Sequence, residues 1–419
     1  MLKNVLAAFF FCTIGTVIGW EYRGDSFETL SNNIDLVVLN STKSNSVYIV
    51  VGFSRMKSDD FRFPGAEEVL GTIFEERLGS CVGAEEANSY VDQDKILLAV
   101  FGEKSKTNSY IKKIKECITA DISSEELQSA QEKINIKLRH DRSLDKIALR
   151  QDVQNSLHKS SLKFTEDDVA KLTLSGINFV KNKYCEQSRL KVIVASNEKS
   201  DSVKNALIKN FEKKELSEQE QSKKFNNSDS KEKLTRNSSQ LSVPLIEMSW
   251  KVPGYKNDAK KTAKLELILL YLNERLRNTF VKQMKVARFF DITYSLWNSE
   301  CCEVKVSVIP ANKVLVKDIE SMILYGIRAL SNEELAPKKF QELKDALVAR
   351  YDVFNFRCDV IDTTNWVAER LNAGFSYVFL KGFVPLIKNI ENEKILKTSI
   401  GIFDNDPDVV AELIPKGDS

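Results

Sequence analysis

The chain is 419 residues long, 42% hydrophobic and 29% charged, and its 61 basic and 59 acidic side chains leave a formal charge of +2. That length is too great for one ordinary core and predicts two domains of about 200 residues each. Charges of both signs interleave along the whole chain, which excludes a nucleic-acid binder with its basic stripe, and the total of two histidines excludes a histidine-held catalytic zinc.

The N-terminal stretch has a composition of its own. Lys3 precedes an uncharged run from Val5 to Ile18, and Val17 and Gly19 occupy the minus-three and minus-one positions of a cleavage site. Residues 1–19 therefore predict a secretory signal that is removed on export. The alternative is a retained membrane anchor, but the run is shorter than the ~20 apolar residues that span a bilayer. No later stretch approaches that length, so no stable membrane span is expected after cleavage. Export permits disulfides, and the cysteines beyond the signal are Cys81, Cys117, Cys185, Cys301, Cys302 and Cys358, with no C-x-x-C pair among them.

In the first half, Ile34 to Leu39 and Val47 to Phe53 are rich in β-forming residues, and a helix follows Pro64. Another extended run spans Ala87 to Phe101. Helical periodicity occupies about residues 108 to 178, and Leu190 to Ala195 predicts a strand before a last helix. From Lys213 to Gln240 the chain is nearly all Lys, Glu, Ser, Asn and Gln, with only Leu216, Phe225 and Leu234 apolar, which reads as an unstructured interdomain linker.

The second half opens with a strand from Val243 to Val252 and a helix from near Asn257. A hairpin follows, Phe289 to Trp297 and Cys301 to Ile309, turning at Asn298 and Ser299. Along its second strand Val304, Val306 and Val308 alternate with Glu303, Lys305 and Ser307, which predicts a core-facing Cys302 and an outward Cys301. Helices fill most of Lys313 to Ser399. Blocks of strands followed by blocks of helices point to α+β. The halves also share text: Ser123-Ser124-Glu125-Glu126-Leu127 and Arg139-His140-Asp141 are echoed by Ser331-Asn332-Glu333-Glu334-Leu335 and Arg350-Tyr351-Asp352. With the matching order of elements, this predicts a duplicated domain, 20–212 and 241–419 about a 213–240 linker.

Several segments then fall into a known frame. Gly65-Ala66-Glu67-Glu68-Val69-Leu70-Gly71-Thr72 opens the first helix, Gly83 follows, and Asn88-Ser89-Tyr90-Val91 runs as an edge strand towards Asp94. In the second half stand Pro253-Gly254 after a strand, Arg275-Leu276 within a helix, and a terminal strand Val409-Val410-Ala411-Glu412-Leu413-Ile414-Pro415-Lys416. In these segments the chain resembles the insulinase-type (pitrilysin) metallopeptidase family, which includes the mitochondrial processing peptidase subunits and many bacterial periplasmic proteins. The resemblance implies two similar halves, each a mainly antiparallel sheet with helices packed on one face.

Active members carry G-x-x-H-x-x-E-H over that first helix: two histidines at i and i+4 bind zinc, and the glutamate takes a proton from the zinc-bound water. Here those positions hold Glu68, Gly71 and Thr72. Glycine offers no base and threonine is a poor zinc ligand. His140 and His158 stand in no H-E-x-x-H or H-x-x-E-H pattern and read as ordinary helix residues. The Arg and Tyr that members carry beyond the Arg-Leu pair fall on Val281 and Arg288. No catalytic residue, metal site or cofactor is therefore expected in this chain.

The resemblance implies a non-catalytic companion subunit, paired as a heterodimer with an active zinc peptidase that holds the zinc. Extended peptide would be held at Asn88, Ser89 and Tyr90, and the signal with the bacterial resemblance places the pair in the periplasm, a secreted route being the alternative. Two other functions are open: an active metallopeptidase with an unorthodox site around Glu68 and Glu76, and a stand-alone peptide-binding scaffold. Glu67, Glu68, Glu75, Glu76, Glu85 and Glu86 lack an Asp-rich loop and read as a solvated face rather than an oxygen-ligand metal site. The chain has no G-x-S-x-G elbow or phosphate loop, and sequons at Asn40, Asn226 and Asn237 arise easily in an Asn- and Ser-rich chain.

Overall fold

Strand alternation decides which sheet faces need cover, and in this chain both do. The computed structural model describes residues 22–31, 34–41, 45–54, 63–82, 87–92, 95–158, 164–187, 190–197, 200–211, 231–296, 301–311, 316–330, 333–352, 360–392, 395–396 and 403–416. Outside them lie the 1–19 signal, residues 213–230, Gly83, Glu85, Glu86, Asp94, Asn226, the Asn298-Ser299 turn and Cys358.

The chain divides into two units whose segments interleave in sequence: 1–139, 161–222 and 353–380 form one, and 140–160, 223–352 and 381–419 the other. Each unit has one sheet. The contiguous stretches 20–212 and 241–419 thus exchange helices, for a reason that lies in the strands.

The first unit's strands are β1 (Tyr22–Thr29), β2 (Asp35–Ser41), β3 (Ser46–Ser54), β4 (Ala87–Asp92), β5 (Lys95–Glu103) and β6 (Lys191–Ser196). They form a six-stranded sheet in the order β1-β2-β6-β3-β5-β4, antiparallel except for β2 beside β6. On one face Leu36, Val38, Ile49, Val51, Leu98, Val192 and Val194 are buried in the main core. That core is closed by helices α1 (Ala66–Val82), α2 (Thr107–Thr119), α3 (Ser124–Ser143), the short α5 (Glu166–Ala170), α6 (Leu174–Gln187) and α7 (Ser200–Asn210), which lie before and after α4 (Asp145–His158) in the chain.

The opposite face carries Val37, Leu39, Val50, Ile193 and Ala195, all at most 1% exposed. Runs apolar on both faces need a second layer. Helix α11 (Val360–Asn372), from the far end of the chain, packs on β2, β3, β5 and β6. Tyr48 on β3 donates a 2.8 Å hydrogen bond to Asn365 Oδ1. A Cβ built on Gly52 of β3 would lie 2.0 Å from Asn372 Nδ2, so any larger residue there would have to push the buried Asn372 side chain aside.

In the second unit, β7 (Glu232–Ser238), β8 (Leu245–Pro253), β9 (Ala287–Leu296), β10 (Cys301–Pro310) and β11 (Val409–Pro415) are ordered β7-β11-β8-β10-β9. Only β7 with β11 is parallel. Helices α8 (Tyr255–Arg277), α9 (Val316–Leu330), α10 (Pro337–Tyr351) and α12 (Tyr377–Lys388) complete the element list. On the Glu303 face lies α4, whose Leu149, Val153 and Leu157 pack with Leu245, Val409, Ala411 and Leu413. Arg150 of α4 makes a two-pronged ion pair with Glu303, one prong at 2.6 Å, and Ser249 adds a 2.8 Å bond. The Glu303 side chain is 0% exposed. Burial alone would raise its carboxyl, but Arg150, with Ser249 and Lys305, overrides that and holds it below the usual range.

Beyond the expected helical layer, a helix also lies over the second face of each sheet. Two sequence expectations change here. Cys301 is buried like Cys302, because the Glu303 face that alternation assigned to solvent is roofed by α4. The polar text of 232–238 is an edge strand, its backbone paired to β11 while most of its side chains stay exposed or half-buried. The strand β1 carries no apolar run and went unread. The duplicated α+β architecture itself stands, and the echoed Ser123 and Ser331 segments differ in detail. Ser123 precedes α3 directly, whereas α10 starts later, at Pro337, the position that favours proline in a first helical turn.

Two substitutions test this account by denaturant unfolding. Gly52→Ala should cost about 1–3 kcal/mol by displacing the Asn372 side chain from its bond to the Ala368 carbonyl, and a change under about 0.5 kcal/mol would contradict the close approach. Arg150→Met should cost about 3–5 kcal/mol by stranding the Glu303 charge, with much of the loss recovered in the Arg150→Met, Glu303→Met double variant.

Candidate functional site

Helix α1 and strand β4 together form the candidate site of the first unit. The helix starts at Pro64-Gly65, where Gly65 adopts φ +81° and a Cβ would meet Phe164 at 2.7 Å. The amide of Val69 then closes the first turn on the Gly65 carbonyl at 3.2 Å. Ala66, Val69, Leu70, Ile73, Phe74 and Leu78 recur at helical spacing and are all buried, fixing which side of α1 faces the core. The helix packs against α2, α6, β5 and the edge strand β4.

One further residue fixes the far end of α1. Arg77 donates from Nη1 to the carbonyls of Cys117 (3.0 Å) and Ala120 (2.9 Å) and from Nη2 to that of Asp121 (2.8 Å), capping the C-terminus of α2. Its Nε also donates to Glu126 Oε1 at 2.6 Å. Glu126 accepts from the Ser123 amide at 2.8 Å, while Ser123 Oγ accepts from the Glu126 amide, a reciprocal cap on α3. Arg77 thereby ties α1, α2 and α3 into one block. Its guanidinium is the main reason the Glu126 carboxyl is held down to about 2.

The motif positions fall on this helix, next to the strand expected to bind peptide. Gly71 is buried and supplies no side chain. Thr72 donates its hydroxyl to the Glu68 carbonyl at 2.9 Å, an internal helix bond that occupies its proton. Glu76 is engaged by Lys133 Nζ at 2.6 Å and Ser129 Oγ at 3.5 Å, both on α3. Among the described residues no three His, Cys, Asp or Glu side chains converge on one point. Two of the three positions do not fit a catalytic zinc, since Gly71 has no donor atom and the Thr72 hydroxyl is committed to the Glu68 carbonyl, and the nearby Glu76 carboxylate is paired with Lys133. Both histidines lie on helices, His140 in α3 and His158 at the end of α4.

Strand β4 ends the six-stranded sheet, with Asn88, Ser89 and Tyr90 opposite Ala99, Leu98 and Leu97 of β5. Its outer edge has no partner strand among the described residues. In the second unit the corresponding end strand is β9. The Ile292 amide is taken by Asn273 Oδ1 of α8 at 3.0 Å, and Asn273 Nδ2 donates to Asp291 at 2.9 Å. Side-chain bonds from the neighbouring helix occupy that edge. Val281 sits half-buried in the π-helical turn Asn278–Gln283 after α8, and Arg288 lies exposed on β9.

The sequence reading missed a buried polar knot in the second unit. Glu266 of α8 is 1% exposed and accepts from Tyr255 Oη at 2.6 Å and Tyr351 Oη at 2.7 Å, with Arg350 at 3.3 Å. Beside it Tyr294 Oη donates to Cys302 Sγ at 2.8 Å. Burial first, then the Glu266 charge, pushes the Tyr255 hydroxyl well above its ordinary range. The signal was a lone glutamate in the apolar Leu265 to Leu272 run of α8.

The Arg77 tie carries a pH prediction. Glu126 titrates lower when folded, so its contribution is full above the ordinary 4.5 and is lost as pH falls towards about 2. Arg77→Met should lower stability by about 2–3 kcal/mol at neutral pH. Acid titration followed by circular dichroism should show the gap between wild type and variant narrowing over that window; a gap independent of pH would contradict the pairing.

No family profile and no curated protein sequence matches the chain. Solved structures do. A protease from Helicobacter pylori superposes with TM-score 0.76 at 14% identity, covering 94% of this chain and all of that one. The first half of the periplasmic protease PqqL from Escherichia coli gives 0.76 at 11% identity, covering 94% and 92%. A peptidase M16 inactive domain from Pseudomonas fluorescens gives 0.72 at 8% identity, covering 94% and 99%. Against pitrilysin the TM-score is 0.73 at 11% identity, and the chain spans 46% of that protein's length. The fold of this chain is that of the insulinase-type, pitrilysin-like M16 peptidases.

Proposed function

We propose that the chain is a non-catalytic insulinase-type homologue that binds extended peptide and supports an active zinc peptidase of the same fold. The observation that carries this reading is the emptied helix α1: it keeps its place beside the edge strand β4, while Glu68, Gly71 and Thr72 stand at the ligand and base positions and the Thr72 hydroxyl is spent on the Glu68 carbonyl. The helix retains its packing role without the groups that cleavage needs.

Peptide binding needs only backbone. A strand added to β4 would gain main-chain hydrogen bonds along Ala87–Asp92, a mode that requires no particular side chain and suits substrates of varied sequence. Strand β4 ends its sheet beside α1, which favours it as the strand that receives the peptide. The companion role rests on the structural likeness to a domain described as inactive and to one half of a longer peptidase, since such folds work in pairs of units. An exported, periplasmic setting is supported by the signal-like composition of residues 1–19 and by the periplasmic protease among the structural relatives. No described helix is long and apolar enough to cross a membrane.

Two measurements test the reading. Purified protein, stripped by chelator and reloaded with zinc, should retain no stoichiometric metal and cleave no unfolded peptide; retention with cleavage would establish the enzyme alternative. Affinity capture from the native cell should recover, in equal amount, a homologue with an intact H-x-x-E-H helix. Its repeated absence would favour a stand-alone peptide-binding scaffold.

A further inference from the structure

Two cysteines on separate helices meet at the end of α1, and nothing in the proposed peptide binding uses them. Cys81 lies in the last turn of α1 and is exposed, while Cys117 lies on α2 and is buried. Crossed hydrogen bonds hold their two backbones together. Arg77, one turn before Cys81, donates to the Cys117 carbonyl at 3.0 Å, and Lys113, one turn before Cys117, donates to the Cys81 carbonyl at 2.5 Å. Helices α1 and α2 pack against each other there, and Cys81 is among the neighbours that act on the Cys117 thiol. Bonding geometry asks for Cα atoms within about 7 Å, which side-chain rotation across two packed helices can serve.

We propose that Cys81 and Cys117 form a redox-controlled disulfide that staples the C-terminal turn of α1 to α2. The oxidant is a disulfide, either a small-molecule one such as oxidised glutathione or that of a thiol–disulfide oxidoreductase. Exposed Cys81 attacks one sulfur of that disulfide, forming a mixed disulfide and releasing one thiol. Cys117 then attacks Cys81 Sγ and expels the second thiol. Two protein thiols become one disulfide, the oxidant disulfide is reduced to two thiols, and both cysteine protons end on the released thiols. Burial first, and then Cys81, pushes the Cys117 thiol up to about 12, so it is a poor thiolate and the first attack falls to exposed Cys81; Cys117 serves in the second step through its position beside Cys81.

The staple lies where it bears on the candidate site. Strand β4 begins at Ala87, shortly after Cys81, so the oxidised form fixes the end of the emptied helix from which the edge strand departs. Closing the loop between residues 81 and 117 would stabilise the fold by restricting the unfolded chain.

The test uses the full chain and its Cys81→Ser variant, each equilibrated in oxidised or in reduced glutathione, alkylated, and mapped by mass spectrometry alongside thermal unfolding. The expected result is a cross-linked peptide pair containing Cys81 and Cys117 in the oxidised wild type. Its Tm should exceed that of the reduced form by roughly 5 °C, a shift absent from Cys81→Ser, whose exposed site tolerates the change. Recovery of Cys81 as a free thiol or glutathione adduct, with Cys117 unmodified in a folded protein, would overturn the proposal. So would a bridge from either residue to another cysteine.

Discussion

The constraint on which the rest of this fold depends is that its central strands are buried on both faces. Val37, Leu39, Val50 and Ile193 on one side of the first sheet are as deeply buried as Leu36, Val38, Ile49 and Val192 on the other. A sheet of that kind cannot leave one face to water. The first sheet obtains its second cover from α11, which lies late in the chain, and the second from α4, which lies early. Neither contiguous half of the sequence encodes a complete core. The exchange explains why a charged pair, Arg150 with Glu303, sits in a place where apolar packing would also serve: the pair needs both partners present and leaves a costly lone charge if the wrong segment docks.

The packing of α1 beside β4 is likewise fixed by residues away from the motif positions. The position of α1 beside β4 is set by its apolar stripe, by Gly65 at its start and by Arg77 at its end. None of these involves the positions where zinc ligands would stand. The Thr72 hydroxyl is bonded to the Glu68 carbonyl within the helix. The packing that places α1 is thus separable from the chemistry of residues 68, 71 and 72.

Much of this was legible in the sequence, and what was missed has a common physical cause. The positions of β2, β3, β6, β8 and the β9–β10 hairpin follow from β-branched runs, and α1 from Pro64-Gly65 and its apolar stripe. The helix at 66–82 and the strand through Asn88 to Tyr90 were placed from residue types together with the family resemblance. The readings that changed all concern long-range cover. Alternation at Glu303, Lys305 and Ser307 says which residues share a face but not what roofs it, so Cys301 was assigned to solvent. Strand β7 is polar because its side chains stay at the surface while its backbone pairs, which no composition rule detects. The Glu266 knot depends on Tyr255 and Tyr351, the second far away in sequence.

Backbone hydrogen exchange with a bound, unstructured polypeptide tests the central claim most directly, because it reports which strand edge receives it. Carboxymethylated casein fragments supply such a probe. The account predicts that amides of Ala87–Asp92 become protected while those of β9, with Ile292 already bonded to Asn273, stay unchanged. Protection confined to β9, or none at either edge under saturating peptide, would contradict it.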